Sequence, residues 1–421
     1  MINLRDAEGR IRYCRMDEAH WAEEYRRVSI PTLNPTLVGF NVNLDRIIPV
    51  DPELLGLPGF GSDDLSELRS RLIHSMEHCT AEEWYVSDPG RYDRFSEFFS
   101  GTGSLAMGGQ AGIAAIHLKN LGVPEVTCLA PAIGKEAEKI LAQHGVRVPG
   151  RKSGARAEPD TIHLVFEYRP GMVPLAVGAQ PRNNRFIASP KKSEKNTLMD
   201  EEVLRLLLPE LSSCTRAFLS GYQYLRDDAE FVQAAGQIRA LKSKNRRMRV
   251  HIECVSVTDA PVLRGLMHHI LPAADSAGMN EHELSQMPGI GSSSTPAGMV
   301  QCMLNLAKKT GLCRIHLHTF GYYLLVIRKD RAVPDISQAA LLFASRVVAE
   351  AAEGTGIGIS AQGIAAVREI AGSFAPGPAP GIFVAGDYLV LAVPTLIAQG
   401  IHRTVGLGDI LSSTAFVAEH C

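Results

Sequence analysis

From residue 36 onward, short runs rich in Val, Ile and Leu alternate with longer stretches whose apolar residues recur every three or four positions. The strand-like runs are 36–45, 126–130, 161–168, 216–222, 248–257, 313–327 and 381–394. Between them, 64–78, 110–122 and 135–145 carry the three- and four-residue spacing of an amphipathic helix. Near-continuous apolar strands separated by such helices need cover on both faces, which predicts an α/β fold with a mostly parallel sheet sandwiched by helices. Two irregular stretches, about 46–105 and 171–190, interrupt the alternation and predict a smaller discontinuous α/β domain, inserted into a core spanning 1–421, that could act as a lid.

Charge and cysteine usage exclude several classes. Lys plus Arg is 43 and Asp plus Glu is 45, a formal net charge of -2, so no broad basic field exists for nucleic acid or anionic lipid. The basic run at 241–249 lacks interleaved aromatics and reads as a solvated helix end before a strand. No stretch of 18 apolar residues suggests a membrane span. Eight scattered cysteines without a CxxC pair fit a reduced, cytoplasmic setting better than a disulfide framework.

Five short elements carry chemistry. In the first, Gly406-Leu407-Gly408-Asp409 precedes a helical pattern. The glycines allow backbone N–H groups to converge, and the helix adds its positive end, which together make an anion site. Asp409 there is either a general base that takes a hydroxyl proton or a plain helix cap. In the second, Asn280 and Glu283 follow an apparent buried strand end in 268–276. They could hold hydrated magnesium through water, or form a capping box. In the third, His251 and Glu253 share one face of a strand, where they need a ligand, a metal or an exposed sheet edge. The fourth places Asn41, Asn43 and Asp45 on one face, a set suited to sugar hydroxyls. The fifth, Gly109-Gln110 within Gly108–Gly112, opens a helix, where the backbone can approach a ligand or simply start the helix.

This ordered set resembles the ADP-dependent sugar kinase family, which comprises ADP-dependent glucokinase and ADP-dependent phosphofructokinase of the ribokinase-like superfamily. The likeness runs along essentially the whole chain. It implies a ribokinase-like core with a lid, and transfer of the β-phosphoryl group of ADP to glucose or fructose 6-phosphate. Asp409 would be the catalytic base, and Gly406, Leu407 and Gly408 the anion hole. Glu253 and Glu283 would organise Mg2+, mostly through water. Asn43, Asp45, Gly109 and Gln110 would bind the sugar, with His163 as an addition, and His318 would lie near the nucleotide. A sugar-gripping glutamate would be Glu82 or Glu83. Ile410 departs from the family, which often has Thr there.

Sugar identity stays open in the sequence. Arg185, with Arg182, Lys191 and Lys192, could grip a sugar phosphate, whereas an acidic pair at 82–83 favours an unphosphorylated hexose. Competing functions are an ATP-dependent sugar or nucleoside kinase of the same superfamily and a non-catalytic sugar-binding protein. An NAD-dependent oxidoreductase is disfavoured, because no GxGxxG opens a first βαβ unit.

Overall fold

A computed structural model describes residues 16–80, 82–131, 133–149, 159–169, 183–190, 199, 204–205, 207–352, 354, 356–399 and 406–419. Ten strands form the larger sheet. Six of them, Val126–Leu129, Thr36–Gly39, Arg216–Leu219, Arg249–Glu253, Ser276–Asn280 and Arg314–His318, lie side by side and parallel. Tyr322–Arg328, Tyr388–Pro394, Ile382–Ala385 and Ala375–Pro376 continue the sheet antiparallel.

Helices Gln110–Asn120, Pro334–Ala351 and Leu407–Ala418 pack together on one side of this sheet, and Asp228–Lys244, Pro296–Thr310 and Ala361–Ser373 cover the other. The strand Arg249–Glu253 shows why its sequence is apolar at every second position. Val250 and Ile252 join the cluster that includes Phe231 and Ile238, while His251 and Glu253 face Ser412 and Phe416 of the helix Leu407–Ala418.

A second sheet of five strands, in the order Glu82–Val86, Asn184–Pro190, Ile162–Tyr168, Asn43–Pro49 and Ser104–Gly108, has its own core. Helices Ser66–His78 and Pro89–Phe98 cover it, and Phe95, Phe99, Phe166, Phe186 and Tyr168 fill the space between. Burying several aromatics in one small layer removes a large apolar area from water, which lets so few elements hold together.

Four sequence expectations are corrected here. The run 36–45 is two strands in two sheets, because the chain leaves the large sheet after Gly39 and enters the small one at Asn43. Asn41 therefore sits in the crossing, not on the strand face of Asn43 and Asp45. The run 161–168 belongs to the small sheet rather than to the parallel core. The long runs 313–327 and 381–394 are each an antiparallel hairpin, reversed at Thr319–Gly321 and at Gly386-Asp387. Residues 266–273 are helical, and the strand before Asn280 begins only at Ser276. Of the second excursion, 171–182 lies outside the described residues.

Candidate active site

The parallel strands end on one side of the sheet, where a ligand crevice belongs in an open α/β fold. Glu253 ends its strand, Asn280 ends the next and His318 ends the one after. The helix Leu407–Ala418 begins over the same edge. Its cap is Gly406 at φ +77°, a left-handed conformation that Gly adopts without penalty. The cap residue is Gly406, three positions before Asp409, so Asp409 is not the helix cap weighed from the sequence. Asp409 instead stands in the first turn as a half-buried carboxyl. Burial pushes its pKa up to about 7, against the Arg185 charge and a hydrogen bond from Gln110. A Cβ built on Gly408 would lie 3.4 Å from His318 Nε2, so the imidazole sits against the helix start. Burial lowers His318 to about 4, which leaves it neutral.

The small sheet supplies the opposite wall. Asn43 donates from Nδ2 to Asp45 Oδ1 at 2.7 Å, and both are buried. Burial raises Asp45 to about 7, and the charges on Glu83 and Asp409 add to this while Arg185 opposes it. Asp45 thus feels groups from the small sheet and from the helix packed on the large one. Gly108 pairs with Asn43 in register, and a Cβ there would fall 2.2 Å from Asp45 Oδ1. Gly109, at φ +73°, caps the helix that opens with Gln110, and a Cβ on it would strike Asn41 O at 2.4 Å. The glycine pair is therefore more than a helix start: it lets the backbone lie against the Asn43–Asp45 pair.

Successive strand residues point to opposite faces, and this separates Glu82 from Glu83. Glu82 pairs with Arg71 of the covering helix at 3.0 Å. Glu83 faces the other way, accepts from Ser189 Oγ at 2.8 Å and lies 4.0 Å from His163 Nδ1. His163 is itself opposite Asp45 in register. Arg185 lies on the neighbouring strand, and its charge favours the ionised forms of both Asp45 and Asp409.

Two further carboxylates line the strand ends. His251 and Glu253 do not lie on an edge, since their strand is paired on both sides. His251 Nε2 lies 3.1 Å from Glu253 Oε2, Ser412 Oγ donates to the same oxygen, and His251 Nδ1 lies 2.7 Å from Ser276 Oγ. Burial drives Glu253 well above the ordinary carboxyl range, and the charges of Asp409 and Glu283 push the same way. A Cβ on Gly278 would fall 2.2 Å from Glu253 Oε2, so the neighbouring strand needs a bare backbone there. Glu283 and Asn280 form the capping box that the sequence allowed. Asn280 N and Nδ2 each donate to Glu283 at 2.8 Å, and Glu283 N donates to Asn280 Oδ1 at 2.9 Å. Glu283 nevertheless stays within electrostatic reach of Asp409, and burial raises it to about 8.

Ser412 and Ser276, which satisfy Glu253 and His251, were not foreseen from sequence. Ser412 had a signal: it lies three residues after Asp409, on the same side of one helix. Ser276 had none, because its link to His251 depends on strand register.

Residues 35–418 match the family described as the ADP-specific phosphofructokinase/glucokinase conserved region. The chain is 27% identical over 463 aligned residues to an ADP-dependent glucose/glucosamine kinase of Pyrococcus furiosus, covering 95% of this chain and 98% of that protein. It is 24% identical to an ADP-specific phosphofructokinase of the same organism, covering 94% and 98%. In three dimensions it is similar to an ADP-dependent kinase solved in complex with fructose-6-phosphate and ADPβS, with a TM-score of 0.80, 23% identity and coverage of 95% and 97%.

Proposed function

Because the chain belongs to the ADP-specific phosphofructokinase/glucokinase family, we propose that it transfers the β-phosphoryl group of ADP to a hydroxyl of a hexose, releasing AMP. The observation that carries this reading is Asp409: a carboxyl with a pKa near 7 in the first turn of a helix whose free amides open onto the strand ends. Such a group is half ionised near neutrality, the condition in which a general base works best. In the reaction the sugar oxygen bonds to phosphorus, the bond from phosphorus to the α–β bridging oxygen breaks, and Asp409 takes the hydroxyl proton. The amides of Gly406, Leu407 and Gly408 neutralise charge on the moving phosphoryl group. Asn43, Asp45, Gly109, Gln110, Glu83 and His163 hold the sugar hydroxyls, and His318 lies beside the nucleotide.

The residues fit a hydrated Mg2+. Glu253 and Glu283 are buried carboxyls whose pKa burial raises, that of Glu283 to about 8, and a nearby cation would pull both back toward the ionised form. Their oxygens already accept hydrogen bonds from Ser412 and Asn280, which supports contact through metal-bound water rather than direct ligation. Asn280 would orient Glu283. The cation, when bound, supplies neutralisation of phosphate charge.

Glu83 favours an uncharged hexose such as glucose, because a carboxylate facing the sugar repels a phosphate. Arg185 supports a second reading, fructose 6-phosphate, since a guanidinium beside the same pocket can grip one. Cys128, Cys214, Cys254, Cys302 and Cys313 are free thiols, which supports a reduced, cytoplasmic setting. No helix among the described residues is long and apolar enough to cross a membrane. The deciding assay quantifies AMP with magnesium, ADP or ATP, and glucose or fructose 6-phosphate. AMP formed from ADP with glucose is expected. Turnover with ATP alone, or with neither sugar, would remove the reading.

A further inference from the structure

The six parallel strands have two ends, and only the carboxyl ends carry the site above. At the amino ends, Arg216, Arg249 and Arg314 are each the first residue of a strand. Together with Arg331 they line a cavity of ≈ 50 Å³ that also touches Asp275, Glu419 and Phe416. At 3.3 Å per residue, the four steps from Arg249 to Glu253 put this cavity about 13 Å from the active site, on the opposite edge of the sheet.

Both carboxylates in the cavity are already engaged. Asp275 accepts from Lys242 Nζ and from Val250 N, each at 2.9 Å. Glu419 accepts from Arg314 Nε and from Ser337 Oγ, each at 2.7 Å. The arginines are not balanced in the same way. Arg314 is only 7% exposed, and its Nη1 donates to Ser276 Oγ at 3.1 Å, but its buried Nη2 has no hydrogen-bond partner. A buried guanidinium donor without a partner is a costly arrangement. The Arg249 guanidinium makes no hydrogen bond or ion pair among the described residues. Among the described residues, Arg331 reaches only Asp330, at 3.8 Å.

The cavity is also preorganised. Two of the Arg314 donors are fixed, by Glu419 and by a serine that His251 holds in turn, so the direction of Nη2 is fixed as well. The Phe416 ring lies 5.6 Å from the Arg216 guanidinium and 5.9 Å from that of Arg314, and keeps the two apart. The volume holds about three to five water-sized groups, at ~10–15 Å³ each, which is room for a phosphoryl group.

We propose that this cavity is a second anion site, which takes a small oxyanion of the phosphate class at the Arg314 side chain, with Arg249 and Arg331 closing over it. Arginine suits that role because its planar fork matches phosphate oxygens and never loses its charge. The basic run 241–249 thereby gains a function at its last residue, while Lys242 within it serves Asp275.

The test is titration of the full chain with inorganic phosphate at constant ionic strength, followed by calorimetry and by the thermal midpoint. Arg249→Ala and Arg331→Ala remove rim groups that no described contact needs for folding. Arg185→Ala reports on phosphate bound at the other end of the sheet. Saturable binding is expected in the wild type, weakened about tenfold by each rim substitution, the loss of one charge-assisted contact, and unchanged by Arg185→Ala. Arg314→Lys keeps the charge but loses the fork, and should abolish the tight phase; if it fails to fold, the rim variants still decide. No saturable binding in the wild type overturns the proposal. So does binding that Arg185→Ala removes, or that both rim variants leave intact.

Discussion

Asp45 reaches the site from the small sheet and Asp409 from a helix packed on the large one, and burial raises each to about 7. Below that pH both hold a proton, so kcat/KM should climb with pH through about 7 and then level off, as the base becomes ionised. Asp409→Asn should lower turnover by ~10²–10⁴-fold while ADP affinity stays the same or rises, because a negative charge beside phosphate is gone. The same shift acts on stability with a definite sign. A folded-state pKa above the unfolded value gives stability that is complete below about 3.9 and lost as pH rises through about 7. The thermal midpoint of the unliganded chain should therefore fall as pH rises from about 4 to about 7 and level off above it, and Asp409→Asn should shrink that fall. A variant with wild-type turnover would take Asp409 out of the mechanism. Glu253→Gln and Glu283→Gln each remove one charge at nearly constant volume. Each should raise the magnesium concentration needed for half-maximal rate, by about tenfold if they act through metal-bound water. Unchanged metal dependence in both would make these glutamates structural.

Elements decide which of these residues can meet. The strand Glu82–Val86 sends Glu82 to Arg71 and Glu83 to His163 and Ser189. Glu83→Gln should raise KM for the sugar, by about tenfold for one lost charge-assisted hydrogen bond, while Glu82→Gln should leave it unchanged. Equal effects from both would mean that the strand is not placed as described. The sequence showed two adjacent glutamates in a strand-like context but not which face turns inward, because a pattern of period two has no absolute phase without its neighbours. A similar gap explains the run 36–45. Its apolar residues mark a strand, yet nothing local marks Phe40–Val42 as a crossing between sheets, and Leu44 is as buried as Leu37. The alternation of 161–168 likewise signals a strand without saying which sheet receives it. What was legible came from residues whose chemistry is unusual for their element. A His and a Glu on one apolar strand, an Asp after two glycines, and an Asn three residues before a Glu all lie at the carboxyl ends of the large sheet. The serines that satisfy His251 and Glu253 arrive from distant segments, and so could not be read from the motif itself.

At the scale of the whole molecule, the two sheets are joined near the site by very little chain. The strand Thr36–Gly39 and the strand Asn43–Pro49 are separated by Phe40–Val42, and Gly109 alone separates Ser104–Gly108 from the helix Gln110–Asn120. Ala111 N donates to Asn41 O at 3.1 Å, so these two crossings touch. Asn43, Asp45 and Gln110, the groups proposed to hold the sugar, stand directly beside them. A sugar bound there would pull on the crossings themselves, and we propose on that ground that the small sheet is a lid that closes when both substrates are present. Closure has a chemical reason: water left beside Asp409 would compete with the sugar hydroxyl for the phosphoryl group. The radius of gyration from small-angle scattering should then fall on adding glucose with a non-transferable ADP analogue. Asp45→Ala should weaken sugar affinity and reduce that compaction together, because one contact serves both. Superimposable scattering curves with and without saturating ligands would rule out the lid. The pocket between the sheets would then be rigid, and exclusion of water would have to come from side chains alone.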